Sequence, residues 1–145
     1  GDGVEKPALE ALSQQLGIDK RVVFVGSVEP NSIKDEFART DIFVLSSQSE
    51  GRPNVVLEAM AAGCAVISSD LPGVRELIDA DISGLFFCPG DADGLSRHMQ
   101  RLVSSEIDRI TLGKNARERV MELGLTWPKC GEKYINLYRR VLGIA

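Results

Sequence analysis

Long apolar runs are missing from this sequence: none approaches the ~18 residues that a membrane-spanning helix requires. An excess of positive charge is missing too. Lys and Arg total 17 against 21 Asp and Glu, a formal charge of −4. The basic surface on which non-specific nucleic-acid binding depends is therefore excluded, and no nucleic-acid partner is expected. Small ligands feel local charge, and for them the net balance excludes nothing. Cysteine is scarce. Cys64, Cys88 and Cys130 are odd in number and far apart, which fits neither a zinc knuckle nor a disulfide framework. Three free thiols in a reducing cytoplasm are the plain expectation. One histidine, His98, stands without a cluster of metal ligands, so no metal is expected. The opening residues carry no signal-peptide pattern, and no repeat, linker or low-complexity segment interrupts the chain. What is present is ordinary for a globular protein: 145 residues, 43% hydrophobic and 26% charged. That suits one domain, 1–145, with a real core.

Short apolar runs alternate with helical patterns. After a loop at Gly1-Asp2-Gly3, Leu9, Leu12 and Leu16 form the stripe of a helix from about Glu5 to Leu16. Gly17 stops it as a left-handed cap. Arg21 to Val25 (RVVFV) is continuous and β-branched and predicts a buried strand. Gly26 ends that strand, and Pro30, Asn31 and Ser32 open a helix to about Arg39. Asp41 to Leu45 is the second expected strand, Asn54 to Ala62 a helix closed by Gly63, and Ala65 to Ser68 the third strand. Leu71-Pro72-Gly73 turns into a short helix, Val74 to Ile78, and Gly84 to Phe87 is a fourth strand. Strands then cease. Leu95, Met99, Leu102 and Val103 mark an amphipathic helix, followed by Ile107 to Met121 and, past Thr126-Trp127-Pro128, Lys129 to Val141. The expected fold class is α/β, a Rossmann-like parallel sheet with helices on both faces plus C-terminal helices. Ligands of such sheets bind at the carboxyl ends of the strands. Residues 26–29, 46–54 and 69–73 should therefore line one rim.

The chemistry concentrates between Ser49 and Asp70, SEGRPNVVLEAMAAGCAVISSD. Glu50 lies in a glycine-proline turn, and Glu58 lies about one helical turn past the helix start. The first N–H groups of a helix carry partial positive charge and suit phosphate. Carboxylates beside them accept hydrogen bonds from hydroxyl groups. A ligand with both phosphate and sugar, such as a sugar nucleotide, satisfies both. The simpler readings of other residues are structural. His98 beside Met99 is a partly exposed structural histidine, Cys64 a core thiol, and Trp127 a packing anchor before its helix. Glu76 is a helix-start carboxylate, and Lys114, Arg117 and Arg119 belong to a solvated face.

The run Ser47 to Asp70 resembles the signature of the retaining glycosyltransferases of group 1, which have the two-domain GT-B fold. Their hallmark is a glutamate, seven residues and a second glutamate followed by Ala-Met-Ala, matched here from Glu50 to Ala61. Ser-Glu-Gly, Pro-Asn and Gly63 add specificity. Arg21 to Gly26, Asp70 to Glu76 and Thr126-Trp127 resemble flanking family segments, so the likeness covers nearly the whole chain. It implies the C-terminal, donor-binding half of a GT-B fold, transferring a sugar from a nucleotide donor to an acceptor hydroxyl with retention. Glu50 would contact donor-sugar hydroxyls and is the candidate catalytic residue. Nothing in the sequence separates a nucleophile from a hydroxyl binder there. Gly51, Arg52, Pro53, Asn54, Val55 and Val56 would hold the sugar and diphosphate, largely through backbone, and Glu58 the ribose. The backbone at Gly26 would lie near the base. The resemblance implies no tightly bound cofactor or metal, a UDP- or GDP-sugar as substrate, and a saccharide or lipid-linked acceptor. The implied setting is cytoplasmic, with peripheral contact at the inner membrane surface where the acceptor is lipid-linked.

Departures sit at Arg52, where an aromatic or apolar residue is common, and at Ser46 and Ala65, where proline is common. Arg52 either meets phosphate or points to water. Two readings stand beside the transferase: a non-catalytic flavodoxin- or receiver-like module, and a GT-B sugar-nucleotide epimerase. The family's diphosphate-binding Arg and Lys, the domain's first strands and the N-terminal acceptor domain would all lie upstream of Gly1. The purified 145-residue chain is therefore expected to show no transferase activity; measurable turnover in a sugar-transfer assay would refute this.

Overall fold

The computed structural model describes residues 2–143; Gly1 of the expected opening loop lies outside them, as do residues 144 and 145. The chain divides into two compact units, residues 1–36 and 37–145. In the first, α1 (Lys6–Gln15) is opened by Pro7. It is ended by a left-handed Gly17, with the Ile18 amide reaching back to Ser13 O at 2.9 Å, the cap its sequence predicts. Its leucine stripe is not buried. Leu9, Leu12 and Leu16 are all exposed, and Ser13 is the buried residue of the helix. The expected strand at Arg21–Val25 is also corrected. Asp19–Arg21 forms a 3₁₀ turn, and the extended run after it pairs with no strand among the described residues, leaving Val23 81% exposed. The reason is physical. β-branched residues favour strands only where a neighbouring ladder and a packed face receive them.

Asp2 organises this unit. Its carboxylate accepts from Lys6 Nζ at 2.8 Å and from the Ser27 amide at 2.9 Å, which hold it below the usual carboxylate range. Gly26, at φ +78°, turns beside it in a backbone conformation that side chains rarely adopt, and an added Cβ would lie 3.3 Å from the Asp2 carboxylate. The helix expected to reach Arg39 is shorter: α2 covers Ile33–Phe37.

The second unit is built on a parallel sheet in the order β1 (Ile42–Leu45), β2 (Ala65–Ser69), β3 (Leu85–Phe87). Ile42 faces Ala65, and Ile67 faces Leu85 across the two ladders. Every residue of β2 is buried. Because successive side chains alternate between faces, both faces of the central strand are covered, as the doubly covered sheet predicts. Ala65, Ile67, Leu85 and Phe87 share one core with Leu102 and Leu112. α3 (Asn54–Ala62) links β1 to β2, and the short α4 (Pro72–Arg75) follows β2. α5 (Ala92–Ser104) and α6 (Glu106–Leu123) pack on β2 together with α3. Asp91 and Ser105 cap α5 and α6, accepting from the Gly94 and Asp108 amides at 2.8 and 3.2 Å. α7 (Trp127–Leu142) has no buried residue. No helix among the described residues is long and apolar enough to cross a membrane.

α3 ends in a Schellman turn. Gly63 is left-handed at φ +85°, its amide bonds Met60 O, and the Cys64 amide bonds Ala59 O. Gly113 of α6 lies directly on that turn, where an added Cβ would overlap the Gly63 carbonyl oxygen. At the other end of β2, Arg75 grips Asp70 through two hydrogen bonds, Nη2 to Oδ2 at 2.6 Å being one. These bonds hold the Asp70 carboxyl below its ordinary value of 3.8.

Two outcomes follow. Gly113→Ala should lower stability by about 1–3 kcal/mol, the usual cost of forcing a methyl into a close-packed contact, measured by urea unfolding. The depressed Asp70 pKa means that the Arg75 pair contributes fully above the ordinary aspartate value. That contribution disappears as pH falls through the lower folded value. Arg75→Met should return Asp70 to an ordinary titration and remove this acid limb, followed by carboxyl NMR.

Candidate functional site

The site grows from the chain's exit from β1. Beyond Leu45 the polar run 46–49 leads into Glu50 and the Gly51–Pro53 turn, with Asn54 the first residue of α3. Because β1 and β2 are parallel, the loop after β2 leaves at the same end. The two loops meet. The Ser69 hydroxyl donates to Leu45 O at 3.3 Å. Gly73 sits so close to the Gly51 carbonyl oxygen that an added Cβ would overlap it. Residues 46–54 and 69–73 therefore share one rim, as the connectivity predicts. Gly26 lies in the first unit and Glu50 to Glu58 in the second.

Glu50 is half-buried, and its Oε1 accepts from the Ser47 hydroxyl at 2.8 Å. Gly51 and Arg52 are exposed, and Pro53 is buried. Pro53 is the N-cap of α3 and makes no side-chain capping bond, unlike Asp91 and Ser105 on the helices that follow. Asn54 is exposed and Val55 half-buried. Val56 is fully buried, and its amide bonds Pro53 O at 3.2 Å. Val56 thus serves the core rather than presenting a side chain to a ligand.

Glu58 is exposed four residues into α3, on the same flank as Asn54. Arg52, Asn54 and Glu58 line an open cavity of about 630 Å³ together with Val120, Leu125 and Trp127. Glu50 does not line it. Of the two glutamates, eight residues apart, Glu50 precedes the α3 start along the chain and Glu58 lies within the helix. Such an arrangement can present acceptor oxygens at both ends of a ligand whose anionic middle meets the positive pole of a helix.

The other single residues fall mostly as expected. Cys64 is buried, its thiol donates to Phe37 O at 3.6 Å, and burial pushes its pKa up, which suits a core thiol and not a nucleophile. All three cysteines are free. His98 is half-buried, with Nε2 3.0 Å from Phe86 O. Three residues are exceptions. Glu76 ends α4 as its C-cap rather than opening a helix. Arg119 is half-buried and paired with Asp79 and Glu122 rather than on a solvated face. The third is Trp127. It is 92% exposed at the mouth of the cavity and anchors no core. Two contributors were not foreseen, Ser47 and Gly73. Ser47 opened the recognised motif without a role, and Gly73 looked like an ordinary turn glycine after Pro72.

Residues 1–119 match the family described as Glycosyl transferases group 1. An uncharacterized glycosyltransferase of Methanocaldococcus jannaschii is 32% identical over 139 residues, covering 96% of this chain and 35% of its own. Sucrose-phosphate synthase from Thermosynechococcus elongatus superposes with a TM-score of 0.87 at 32% identity, over 99% of this chain and 36% of that one. The C-terminal domain of a glycosyl transferase group 1 family protein from Francisella tularensis superposes at 0.75 and 30% identity. That match covers 81% of this chain and 60% of the other. The chain spans about a third of the length of the curated relatives it matches. From the family match and the shared sheet, this chain belongs to the glycosyl transferases group 1 family, with the fold of the C-terminal half of a GT-B enzyme.

Proposed function

We propose that this chain supplies the donor-binding site of an enzyme that moves a sugar from a nucleotide diphosphate to an acceptor hydroxyl with retention of configuration. The observation that carries the reading is the placement of Glu50 and Glu58 around an α3 N-terminus that lacks a side-chain cap. The diphosphate lies over the first turn of α3, where free N–H groups and the helix dipole offset its charge. Arg52, exposed just before the helix, adds a cation beside it. Glu58 accepts from the ribose hydroxyls and Glu50 from hydroxyls of the sugar. The backbone of 51–55 closes on the sugar and phosphates.

In this arrangement the chemistry is leaving-group stabilisation. As the bond between the sugar and the diphosphate breaks, negative charge grows on the departing phosphate oxygen, where the α3 dipole and Arg52 oppose it. Glu50 holds the sugar in one orientation while that bond opens and stabilises the positive charge that develops on the ring. The donor is a UDP- or GDP-sugar. The acceptor is a saccharide or lipid-linked hydroxyl, held mainly by a further domain outside this chain, with peripheral membrane contact where the acceptor is lipid-linked.

The test is a titration of the isotope-labelled chain with UDP, GDP, ADP and their common sugars, read at backbone amides. Saturable shifts at residues 51–58 with one base are expected. Glu58→Ala should weaken that binding about 10- to 100-fold, the worth of hydrogen bonds to a charged group. No saturable shifts in the folded chain or in its full-length parent would overturn the reading.

A further inference from the structure

We propose that Ser47 is a positioning residue for Glu50, and that their contact tunes the site for the sugar end of the donor rather than the nucleotide end. The inference rests on the donor-site reading above. The Ser47 hydroxyl donates to Glu50 Oε1 at 2.8 Å, and both residues are half-buried. Ser47 lies two residues beyond the end of β1, so it inherits its place from the sheet. On the other side of Glu50, the Gly51 peptide is pressed against Gly73, with no space for even a methyl group between them. The glutamate is thus fixed at two points, through its carboxylate and through the peptide that follows it.

The consequence concerns lone pairs. An ionised carboxylate only accepts, with about four lone-pair directions shared by its two oxygens. Ser47 occupies one direction on Oε1 and sets the plane of the group, leaving Oε2 and the rest of Oε1 for sugar hydroxyls. Without the serine the carboxylate is free to rotate, and water competes for each direction. A sugar hydroxyl then meets an acceptor whose orientation must be fixed during binding, at an entropic cost that the serine had already removed. The nucleotide end is a separate set of residues: Glu58, Asn54 and Arg52 line the cavity, and Glu50 is not among its lining residues. Ser47 contacts Glu50 and not the reacting atoms, so its role is to position. A serine that merely stapled the loop would affect nucleotide and sugar nucleotide alike.

The experiment compares dissociation constants of UDP with UDP-glucose, and of GDP with GDP-mannose, for the chain and its variants, by calorimetry. Backbone spectra verify that each variant is folded. The wild-type chain should bind the sugar nucleotide of its preferred base more tightly than the bare nucleotide. Ser47→Ala should lose about tenfold in sugar-nucleotide affinity, the effect of one charge-assisted hydrogen bond, with the bare nucleotide unchanged within about twofold. Ser47→Thr, which keeps the hydroxyl, should restore the difference. In a Glu50→Ala background, Ser47→Ala should have no further effect. Equal weakening of both ligands, no change in either, or additive losses in the double variant would overturn the assignment while leaving the donor site intact. Absence of any nucleotide binding, or binding indifferent to Glu58→Ala, would instead remove the donor reading and this inference with it.

Discussion

Burial of β2 on both faces is the constraint from which the second unit follows. A strand with every residue buried must pair both backbone edges, fill both faces and satisfy each hydroxyl it carries. The parallel ladders to β1 and β3 meet the first demand. Ser68 and Ser69 meet the last by donating to the Ser69 and Leu45 carbonyls. Parallel pairing then sends the loops after β1 and β2 out at one end. Their contact at Gly51 and Gly73 is a by-product of the ladder, and it brings two distant stretches of sequence together.

The helix that carries Glu58 is held from the opposite end. Its C-terminus is closed by the Gly63 turn, and α6 presses on that turn at a position where only glycine fits. The remaining helix end needs no tether of its own and is opened by a proline that caps nothing. The division is economical in physical terms. At the end that packs, the Ala59 and Met60 carbonyls are occupied by the turn, and the end that faces the rim has no side-chain cap on its polarity.

The parts legible in the sequence are those whose cause is local. α3 begins at Asn54 and ends at Ala62 as its glycine stop and apolar spacing require, and β2 extends the expected Ala65 to Ser68 by one residue. The positions of Glu50 and Glu58 relative to the start of α3 were legible for the same reason, since a turn followed by a helix start fixes them within a dozen residues. Arg21 to Val25 looked equally strand-like and is not a strand, because a ladder is a property of two segments and its composition describes only one. The α1 leucines marked a helix that is there, yet an apolar stripe states a capacity and names no partner, and all three are exposed. Ser47 and Gly73 escaped notice because each acts across a turn or between loops, where spacing along the chain carries no signal. Trp127 was misjudged because size and hydrophobicity speak for burial, whereas it opens α7, a helix with no buried residue, and stays exposed.

That last placement reaches beyond packing. Trp127 is the sole tryptophan of the chain, and it stands in solvent. Intrinsic emission excited at the red edge therefore originates from water-bathed indole even in the native state, and loss of the β2 core shifts its colour little. The same fluorophore borders the cavity that Glu58 and Arg52 share. This molecule's own optical reporter is nearly blind to melting of the sheet and best placed to sense whatever enters beside α3.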